Sequence, residues 1–360
     1  MSDILIGTSA HPDADVSLLK EAGIEWVRHD FPMPFEEHLY GPVSDRYRRA
    51  REQAEAWVSR GISVMGVTPG PGVATFEADE SGRMRSVWHD AMPAWFGGAG
   101  SDRYLRNYQA ICQWLAEDLR GIVSAWQIAN ELDIPQFAGP LSLRQASELI
   151  VHGARGLKAG DPSLFVGPNS GGAPAALFLY GRLYGAPGSP LDYCGVDQYY
   201  ATWQPGGPES WDRRLAELWE LTGAPLAINE WGFSSAGEVA DQAERALGVP
   251  NCQLRKWHYT WGPGHTQEGQ AEFIRRAFDA FVAHRDHLAG LIFYRWEDQE
   301  RCWQCGRPDC PIETAWGLVD LQGRPKPSFR AFKEGVARLL KAQRAHGAPA
   351  ECAGGTRGGG

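Results

Sequence analysis

Residues 122–131 read Ile122-Val-Ser-Ala-Trp-Gln-Ile-Ala-Asn130-Glu131, and a second stretch reads Pro225-Leu-Ala-Ile-Asn-Glu230-Trp-Gly-Phe. In both stretches a short apolar run, typical of a buried parallel strand, ends in Asn-Glu and then breaks. A glutamate at that position would project from the carboxyl end of a strand that is otherwise apolar and buried. Two such strand ends in one chain predict two carboxyl groups at the same mouth of a sheet.

Eight apolar runs of this kind alternate with eight amphipathic stretches along the chain. Because no Gly-x-Gly-x-x-Gly turn follows the first strand, the pattern favours an α/β fold of the single (β/α)8 TIM barrel type over an open doubly wound sheet. The barrel is predicted over residues 1–345, with a disordered, small-residue tail over 346–360. Strands are predicted at 3–7, 24–28, 62–67, 123–129, 164–168, 193–198, 226–230 and 291–296, and helices near 13–22, 44–60, 101–119, 142–159, 174–184, 208–222, 267–287 and 326–342.

The composition narrows the classes of partner. A formal net charge of −9 over 360 residues argues against a nucleic-acid groove or an anionic membrane surface. No apolar run reaches the ~18 residues of a membrane span, and no signal peptide is expected from the first residues of the sequence. Seven cysteines, an odd number, fit a reducing compartment, so a cytoplasmic location is expected. The 15 tryptophans suit stacking on sugar rings or filling of a core.

Three unusually long connections follow strands, at 68–100, 232–266 and 297–325. Connections after strands all cover one face of a barrel, and long loops in a compact domain are usually functional or disordered. Their aromatic content predicts a substrate cleft, with Trp261 and His258 among the residues that contact sugar. The aromatic side chains and one histidine of these loops are Trp88, Trp95, Phe96, Trp257, His258, Tyr259, Trp261 and Trp303.

Two carboxyl groups that face one bond are what glycoside hydrolysis needs. One group holds a proton and donates it to the leaving oxygen, while the other is ionised and attacks the anomeric carbon. A separation of about 5–5.5 Å gives retention of configuration, and about 6.5–9.5 Å gives inversion. Strands four and seven lie three apart on a ring of eight, so Glu131 and Glu230 can face each other across the mouth.

The two Asn-Glu strand ends resemble those of clan A of the glycoside hydrolases, which contains families 1, 5, 39 and 42. The resemblance extends over roughly residues 3–340. It implies a retaining hydrolase of an equatorial, typically β, glycosidic bond, with an oligosaccharide or glycoside substrate and no catalytic cofactor. It also implies that Glu131 is the acid/base, that Glu230 is the nucleophile, and that Asn130 hydrogen-bonds the sugar 2-hydroxyl.

Further residues match the same pattern. Arg28 ends strand two and resembles the clan's arginine, which reaches the nucleophile and would keep its pKa low; a barrel-mouth ion network is the alternative. Strand six offers two tyrosines, and the interpretation favours Tyr200 as the donor to the nucleophile because Gln198 shares its side. Trp296 resembles the tryptophan that floors the sugar subsite.

Trp231, next to the nucleophile, is also assigned to substrate binding. Thr68 ends strand three where family 1 has His-Trp, and Leu132 follows Asn-Glu where several families have proline. The family and the sugar therefore stay open. A carbohydrate-binding pseudoenzyme and a transglycosylase on the same barrel remain alternatives.

Four cysteines form a separate candidate site. The loop after strand eight reads Cys302-Trp-Gln-Cys305-Gly-Arg-Pro-Asp-Cys310, which resembles a zinc knuckle. Cys252, in the loop after strand seven, can supply a fourth thiolate to a structural Zn²⁺ that clips the two loops together. A Cys302–Cys310 type disulfide and free thiols are the alternatives.

Overall fold

The computed structural model describes residues 4–347, except 79, 81–83, 173 and 186. Eight parallel strands carry the fold, in the order β5-β4-β3-β2-β1-β8-β7-β6 around the sheet. They are β1 (Leu5–Thr8), β2 (Trp26–Asp30), β3 (Ser63–Val67), β4 (Val123–Ile128), β5 (Phe165–Pro168), β6 (Cys194–Gln198), β7 (Leu226–Trp231) and β8 (Leu288–Phe293).

The two terminal strands of this order, β5 and β6, approach each other and close the ring. The Asp192 amide donates to the Val166 carbonyl at 2.7 Å, and the Val166 amide donates to Asp192 Oδ2 at 2.8 Å. At the other end, the Asp197 amide donates to the Ser170 carbonyl at 2.7 Å. The predicted single (β/α)8 TIM barrel is therefore confirmed.

In the described part of the chain, eight helices follow the strands and form the outer layer. Serine or threonine starts several of them, because its side-chain oxygen accepts a hydrogen bond from a backbone amide of the first turn. Ser44, Ser101, Ser142 and Thr266 act in this way. The helices are α1 (Val16–Glu21), α2 (Asp45–Ser59), α3 (Asp102–Asp118), α4 (Leu143–Gly160), α5 (Pro174–Tyr184), α6 (Ser210–Thr222), α7 (Gln267–Ala283) and α8 (Pro327–Gly347).

The strand predictions lie within two residues of the observed bounds, with one exception. β8 was predicted over 291–296 and lies at Leu288–Phe293, because the apolar run ends at Phe293 and the chain then turns over the mouth. Helix α8 continues to Gly347, two residues into the predicted tail. The rest of that tail, 348–360, lies outside the described residues.

The long connections contain structure of their own. Residues 68–100 form an antiparallel hairpin and a short 3₁₀ turn, and a one-turn helix follows β4. The other two connections carry short helices and a two-residue parallel pair. The bounds are Gly72–Ala78, Met84–Asp90, Ala94–Phe96, Pro135–Ala138, Glu238–Val239, Gln242–Ala246, Asn251–Leu254, Lys256–Trp257 and Pro311–Thr314.

The main hydrophobic core lies between the sheet and the helices, and a smaller cluster fills the lower barrel interior. That interior cluster holds Leu5, Met65, Ala125, Tyr193, Ala227 and Ile292. Polar side chains replace it towards the carboxyl ends of the strands, where barrel sites are assembled. Within the described part of the chain, none of the helices has the length and apolarity needed to cross a bilayer.

Candidate active site

A cleft of about 1070 Å³ opens at the carboxyl end of the barrel. Both predicted catalytic carboxyl groups, Glu131 and Glu230, line it, and so do Arg28 and Asn130. Its volume slightly exceeds the ~300–1,000 Å³ typical of small-molecule sites, which leaves room for more than one sugar ring. Aromatic rings on its walls come from Phe31, Phe137, Tyr199, Trp203, Tyr294 and Trp303.

Glu131 reaches the cleft through a local turn after β4. Ala129 and Glu131 both have positive φ angles, 52° and 44°. Such a backbone conformation is strained for residues with a side chain, and it is found most often at functional sites. The Asn169 side chain stabilises the turn, because its Oδ1 accepts the Glu131 amide at 2.8 Å. Asn130 Nδ2 lies 3.4 Å from Glu131 Oε2, and Glu131 remains only 9% exposed.

Glu230 is held from two sides at the end of β7. Arg28 Nη1 lies 2.8 Å from its Oε1, and both side chains are largely buried. The Tyr199 hydroxyl donates to its Oε2. A buried guanidinium and a phenol thus hold the two oxygens of this carboxyl group in place.

Arg28 also connects the two carboxyl-bearing strands. Its Nη2 donates to Asn130 Oδ1 at 2.7 Å, and its Nε donates to Gln127 Oε1 at 2.9 Å. One guanidinium thus contacts the nucleophile candidate on β7 and the neighbour of the acid/base candidate after β4. Two interpretations of Arg28 were open, either a partner of the nucleophile or a member of an ion network at the mouth of the barrel. The observed contacts fit both.

The electrostatic environments of the two carboxyl groups differ. Burial, followed by the charges of Glu230 and Asp133, raises the pKa of Glu131 well above its ordinary value. Burial alone would lower the pKa of Arg28, but the neighbouring carboxylates, led by Glu230, raise it above its ordinary value. This arrangement favours retention of the proton by Glu131 beside a permanently charged Arg28.

The tyrosine prediction was wrong. Tyr200 does not meet Glu230; its ring packs edge-on against Trp211 at 5.5 Å, in the layer between sheet and helices. Tyr199 takes the predicted place. The register explains this, because Asp197 of β6 pairs with Glu230 of β7, so the odd-numbered side chains face the interior.

The same alternation of side chains along β6 and β7 shows that two more predictions were wrong. Gln198 pairs with Trp231 across β6 and β7, and both point away from the cleft. Trp231 is fully buried among phenylalanines of the helix layer, including Phe281 at 4.8 Å. Gln198 donates to Gln204 Oε1 at 2.6 Å and so supports a cleft residue without lining the cleft itself.

Three further substrate-binding predictions also lie away from the described cleft. Trp296 is buried against Phe329 at 6.0 Å, because β8 ends three residues earlier than predicted. Trp261 packs edge-on against Phe273 at 5.8 Å. His258 is half-buried in the loop after β7, where its carbonyl accepts from Arg245 at 3.4 Å. Of the aromatic side chains predicted in the long loops, Trp303 lines the cleft, and Trp88 supports its wall by packing against Phe137 at 5.0 Å.

Several residues of the site were missed by sequence reasoning. Tyr294 follows β8 and lines the cleft in place of Trp296. Asp197 is buried and accepts from Asn169 Nδ2, and burial together with the charge of Glu230 raises its pKa well above the ordinary value. Burial also raises the pKa of Glu313, another carboxyl group that lines the cleft, to about 8. Asp197 could have been found from its position one residue from a strand end, but nothing local marks Glu313.

The four predicted cysteine ligands come together beside this cleft. The Sγ atoms of Cys252, Cys302, Cys305 and Cys310 all lie within 4.8 Å of one another. The Sγ atoms of Cys252 and Cys302 are separated by 3.6 Å, whereas a disulfide requires about 2.05 Å. All four are free thiols in the structure.

Comparison with known proteins gives a match of fold. No protein-family model matches the chain, and no curated protein sequence matches it either. Among solved structures, a GH10 xylanase from Thermobacillus composti aligns with 92% of this chain and 97% of its own, at 18% identity and a TM-score of 0.62. An exo-β-1,4-mannosidase from Opitutaceae bacterium strain TAV5 aligns over 95% of this chain and 60% of its own, at 15% identity and a TM-score of 0.61.

A β-glucuronidase from an uncultured Clostridium species is similar over 94% of this chain, at 15% identity and a TM-score of 0.58. The chain spans 50% of the length of that glucuronidase. At these identities the likeness establishes the barrel fold, and the chemistry depends on the side chains of the site itself.

Proposed function

We propose that this protein is a retaining glycoside hydrolase that cleaves an equatorial, β-type glycosidic bond. The observation that carries the proposal is the pair Glu131 and Glu230 on one cleft, joined through Asn130 and Arg28. Glycoside hydrolysis by double displacement needs one protonated and one ionised carboxyl group on opposite sides of a single bond. Burial raises the pKa of Glu131, which suits the proton donor, and Glu230 pairs with the Arg28 guanidinium, which suits the nucleophile.

In the first step Glu230 attacks the anomeric carbon while Glu131 donates its proton to the leaving oxygen. Arg28 and Tyr199 keep the Glu230 carboxylate oriented. The hydrogen bond from the Tyr199 hydroxyl to this carboxylate weakens when Glu230 becomes an ester and loses its charge. Asn130, whose amide lies between Arg28 and Glu131, would hydrogen-bond the sugar 2-hydroxyl in this proposal.

In the second step Glu131 removes a proton from water, and the water releases the sugar from Glu230. The charge of Glu230 explains how the same residue can serve as acid and then as base. That charge is among the causes that raise the pKa of Glu131, and esterification of Glu230 removes it. The pKa of Glu131 then falls, which suits a general base.

A carbohydrate of more than one unit is the proposed substrate. The cleft is large, and aromatic rings on several walls can stack on sugar faces. The structural neighbours named as a xylanase, a mannosidase and a glucuronidase share the barrel, and the choice of sugar among these or others is left to a substrate panel.

The test compares Glu131→Gln and Glu230→Gln on aryl β-glycosides with good and poor leaving groups. Loss of Glu230 is expected to lower kcat/KM by at least about 10³-fold on every substrate, because the nucleophile is gone. Loss of Glu131 is expected to cost about 10²–10⁴-fold with poor leaving groups and far less in kcat/KM with activated ones, which need no proton.

The matched control is Glu220→Gln, which removes an exposed carboxyl group on α6 and is expected to leave the rates unchanged. Binding of oligosaccharides without turnover of any glycoside would contradict the proposal and favour a pseudoenzyme. Transfer to added acceptor sugars in preference to water would identify a transglycosylase.

A further inference from the structure

We propose that Cys252, Cys302, Cys305 and Cys310 bind one structural Zn²⁺ that fixes one wall of the cleft. The cluster joins two connections that are distant in sequence, since Cys252 follows β7 and the other three follow β8. Four thiolates saturate a tetrahedral zinc ion, so the metal would have no open position for chemistry.

The distances fit a tetrahedral metal site. A Zn–S bond of about 2.3 Å places the sulfurs of a tetrahedron about 3.8 Å apart. The four Sγ atoms lie within 4.8 Å of one another, and the Cys252–Cys302 pair lies at 3.6 Å. Each thiol gives up its proton to solvent when the metal binds, and the dipositive ion offsets part of the negative charge that the four thiolates carry.

The backbone around the cysteines has the form of a metal-binding knuckle. Cys302 accepts the Gly306 amide through its carbonyl at 2.7 Å, and its own amide donates to the Arg307 carbonyl at 2.9 Å. Gly306 has a φ of 70°, which lets the chain turn tightly after Cys305. Backbone amides of this loop also point at the sulfurs, from Arg307 to Cys305 and from Ile312 to Cys310. Such N–H···S contacts orient thiolate ligands.

The cysteine cluster is continuous with the candidate active site. Cys302, Cys305 and Cys310 are buried in one satellite core with Trp316 and Tyr199, the tyrosine that donates to Glu230. Within the same loop, Gln304 Nε2 donates to Glu313 Oε1 at 2.6 Å, and both residues line the cleft.

This connection gives the metal a positioning role. The described part of the loop after β8 holds one four-residue helix, and packing and isolated hydrogen bonds hold the rest of it. Zinc would hold the loop against the Cys252 segment, and through it the Gln304–Glu313 pair and the packing around Tyr199. This second part of the inference rests on the proposed function, whereas the metal site itself does not.

The first experiment measures metal in the full-length protein as purified without added metal. We expect one zinc per chain by elemental mass spectrometry, and intense tetrahedral cobalt–thiolate absorption after exchange with Co²⁺. Cys305→Ser is expected to lose most of the zinc, and Cys305→His to retain it, because Cys₃His sites are common. Cys112→Ser removes a buried thiol from α3 and serves as the control that keeps one zinc.

The second experiment follows hydrogen exchange while a chelator and a thiol-specific mercurial remove the metal. Exchange is expected to rise at residues 234–258 and 299–316, while the barrel strands stay protected. Iron in the site, a disulfide among the four cysteines, or full zinc content in Cys305→Ser would each overturn the proposal. If Cys305→Ser does not fold, the metal content and cobalt spectrum of the unaltered chain decide the question, and none of these measurements depends on glycosidase activity.

Discussion

Two identical dipeptides, Asn130-Glu131 and Asn229-Glu230, place their carboxyl groups in different environments. Glu230 lies within β7, where Arg28 and the Tyr199 hydroxyl occupy its two oxygens. Glu131 lies beyond its strand with φ of 44°, and the hydrogen bond from Asn130 to its side chain is long, at 3.4 Å. The difference in chemistry therefore comes from the neighbours and the backbone, not from the motif.

The Tyr199 hydroxyl is a direct test of how Glu230 is held. Tyr199→Phe removes a hydrogen bond to a charged group, worth about 1.5–3 kcal/mol, so kcat should fall by about 10- to 100-fold. The measurement is steady-state kinetics on an activated aryl glycoside. Tyr200→Phe is the matched control, because its ring packs against Trp211 away from the cleft, and it should stay within about twofold of the parent. A larger loss in Tyr200→Phe than in Tyr199→Phe would reverse the assignment.

Glu131 should cost the protein stability at neutral pH. Because burial raises its pKa in the folded state above the ordinary value of 4.5, the folded chain binds more protons than the unfolded chain above that pH. The contribution of the protonated carboxyl group to the free energy of unfolding is therefore fully present below about pH 4.5. It is lost as the pH rises through the folded pKa, at a rate of about 1.4 kcal/mol for each pH unit.

Glu131→Gln removes this dependence, so its melting temperature should exceed that of the parent by a margin that grows as the pH rises above 4.5. Thermal unfolding at a series of pH values provides the measurement. Glu220→Gln, on the exposed face of α6, should show no such growing margin. A margin that shrinks as pH rises would mean that Glu131 is stabilised in its ionised form.

The sequence predicted the polar strand ends better than it predicted which side chains face inwards. Glu131, Glu230, Arg28 and Asn130 meet on the cleft as expected, because each lies where a strand stops being apolar. Tyr200 and Trp231 were misplaced for one reason. Alternation along β6 separates Tyr199 from Tyr200, but only the pairing with β7, which contains a register shift at Val196/Asp197, decides which of them faces the interior.

At the scale of elements, strands were easier to predict than the loops that line the site. Buried parallel strands are short continuous apolar runs, and these can be read without tertiary information. The three long connections carry most of the cleft walls, and their aromatic residues divide between cleft and core in a way that composition does not reveal. Trp257, for example, is fully buried beside the cysteine cluster, while Trp303 is 40% exposed in the cleft.

The contact between α3 and α4 gives a prediction about one helix pair. A methyl group at Gly156 would lie 2.2 Å from the Gln109 carbonyl oxygen of the facing helix. Gly156→Ala must therefore separate the helices, and should lower stability by about 1–3 kcal/mol, as overpacking does. Gly181→Ala, in α5, meets nothing within 4 Å and should raise stability by about 0.5–1 kcal/mol. Thermal or denaturant unfolding of both variants tests the packing, and equal effects would contradict it.

At the scale of the whole molecule, barrel closure is what makes the two strand ends into one site. β4 and β7 are separated by β3, β2, β1 and β8 on one side, and by β5 and β6 on the other. In an open sheet their ends would be far apart, whereas the closed ring lets Arg28 of β2 reach both. The eightfold alternation, together with the absence of a Gly-x-Gly-x-x-Gly turn after the first strand, predicted this closure, although neither gives the distance between the carboxyl groups.

The most direct test of the central claim is covalent trapping by activated 2-deoxy-2-fluoro-β-glycosides, followed by peptide mass spectrometry. The fluorine slows both steps, and the good leaving group lets the first step proceed without strong acid assistance. We predict one sugar per chain, attached to Glu230, from the sugar whose unmodified glycoside is hydrolysed best. Hydrolysis of that glycoside without any adduct, or an adduct on Glu131 or Asp197, would contradict the assignment.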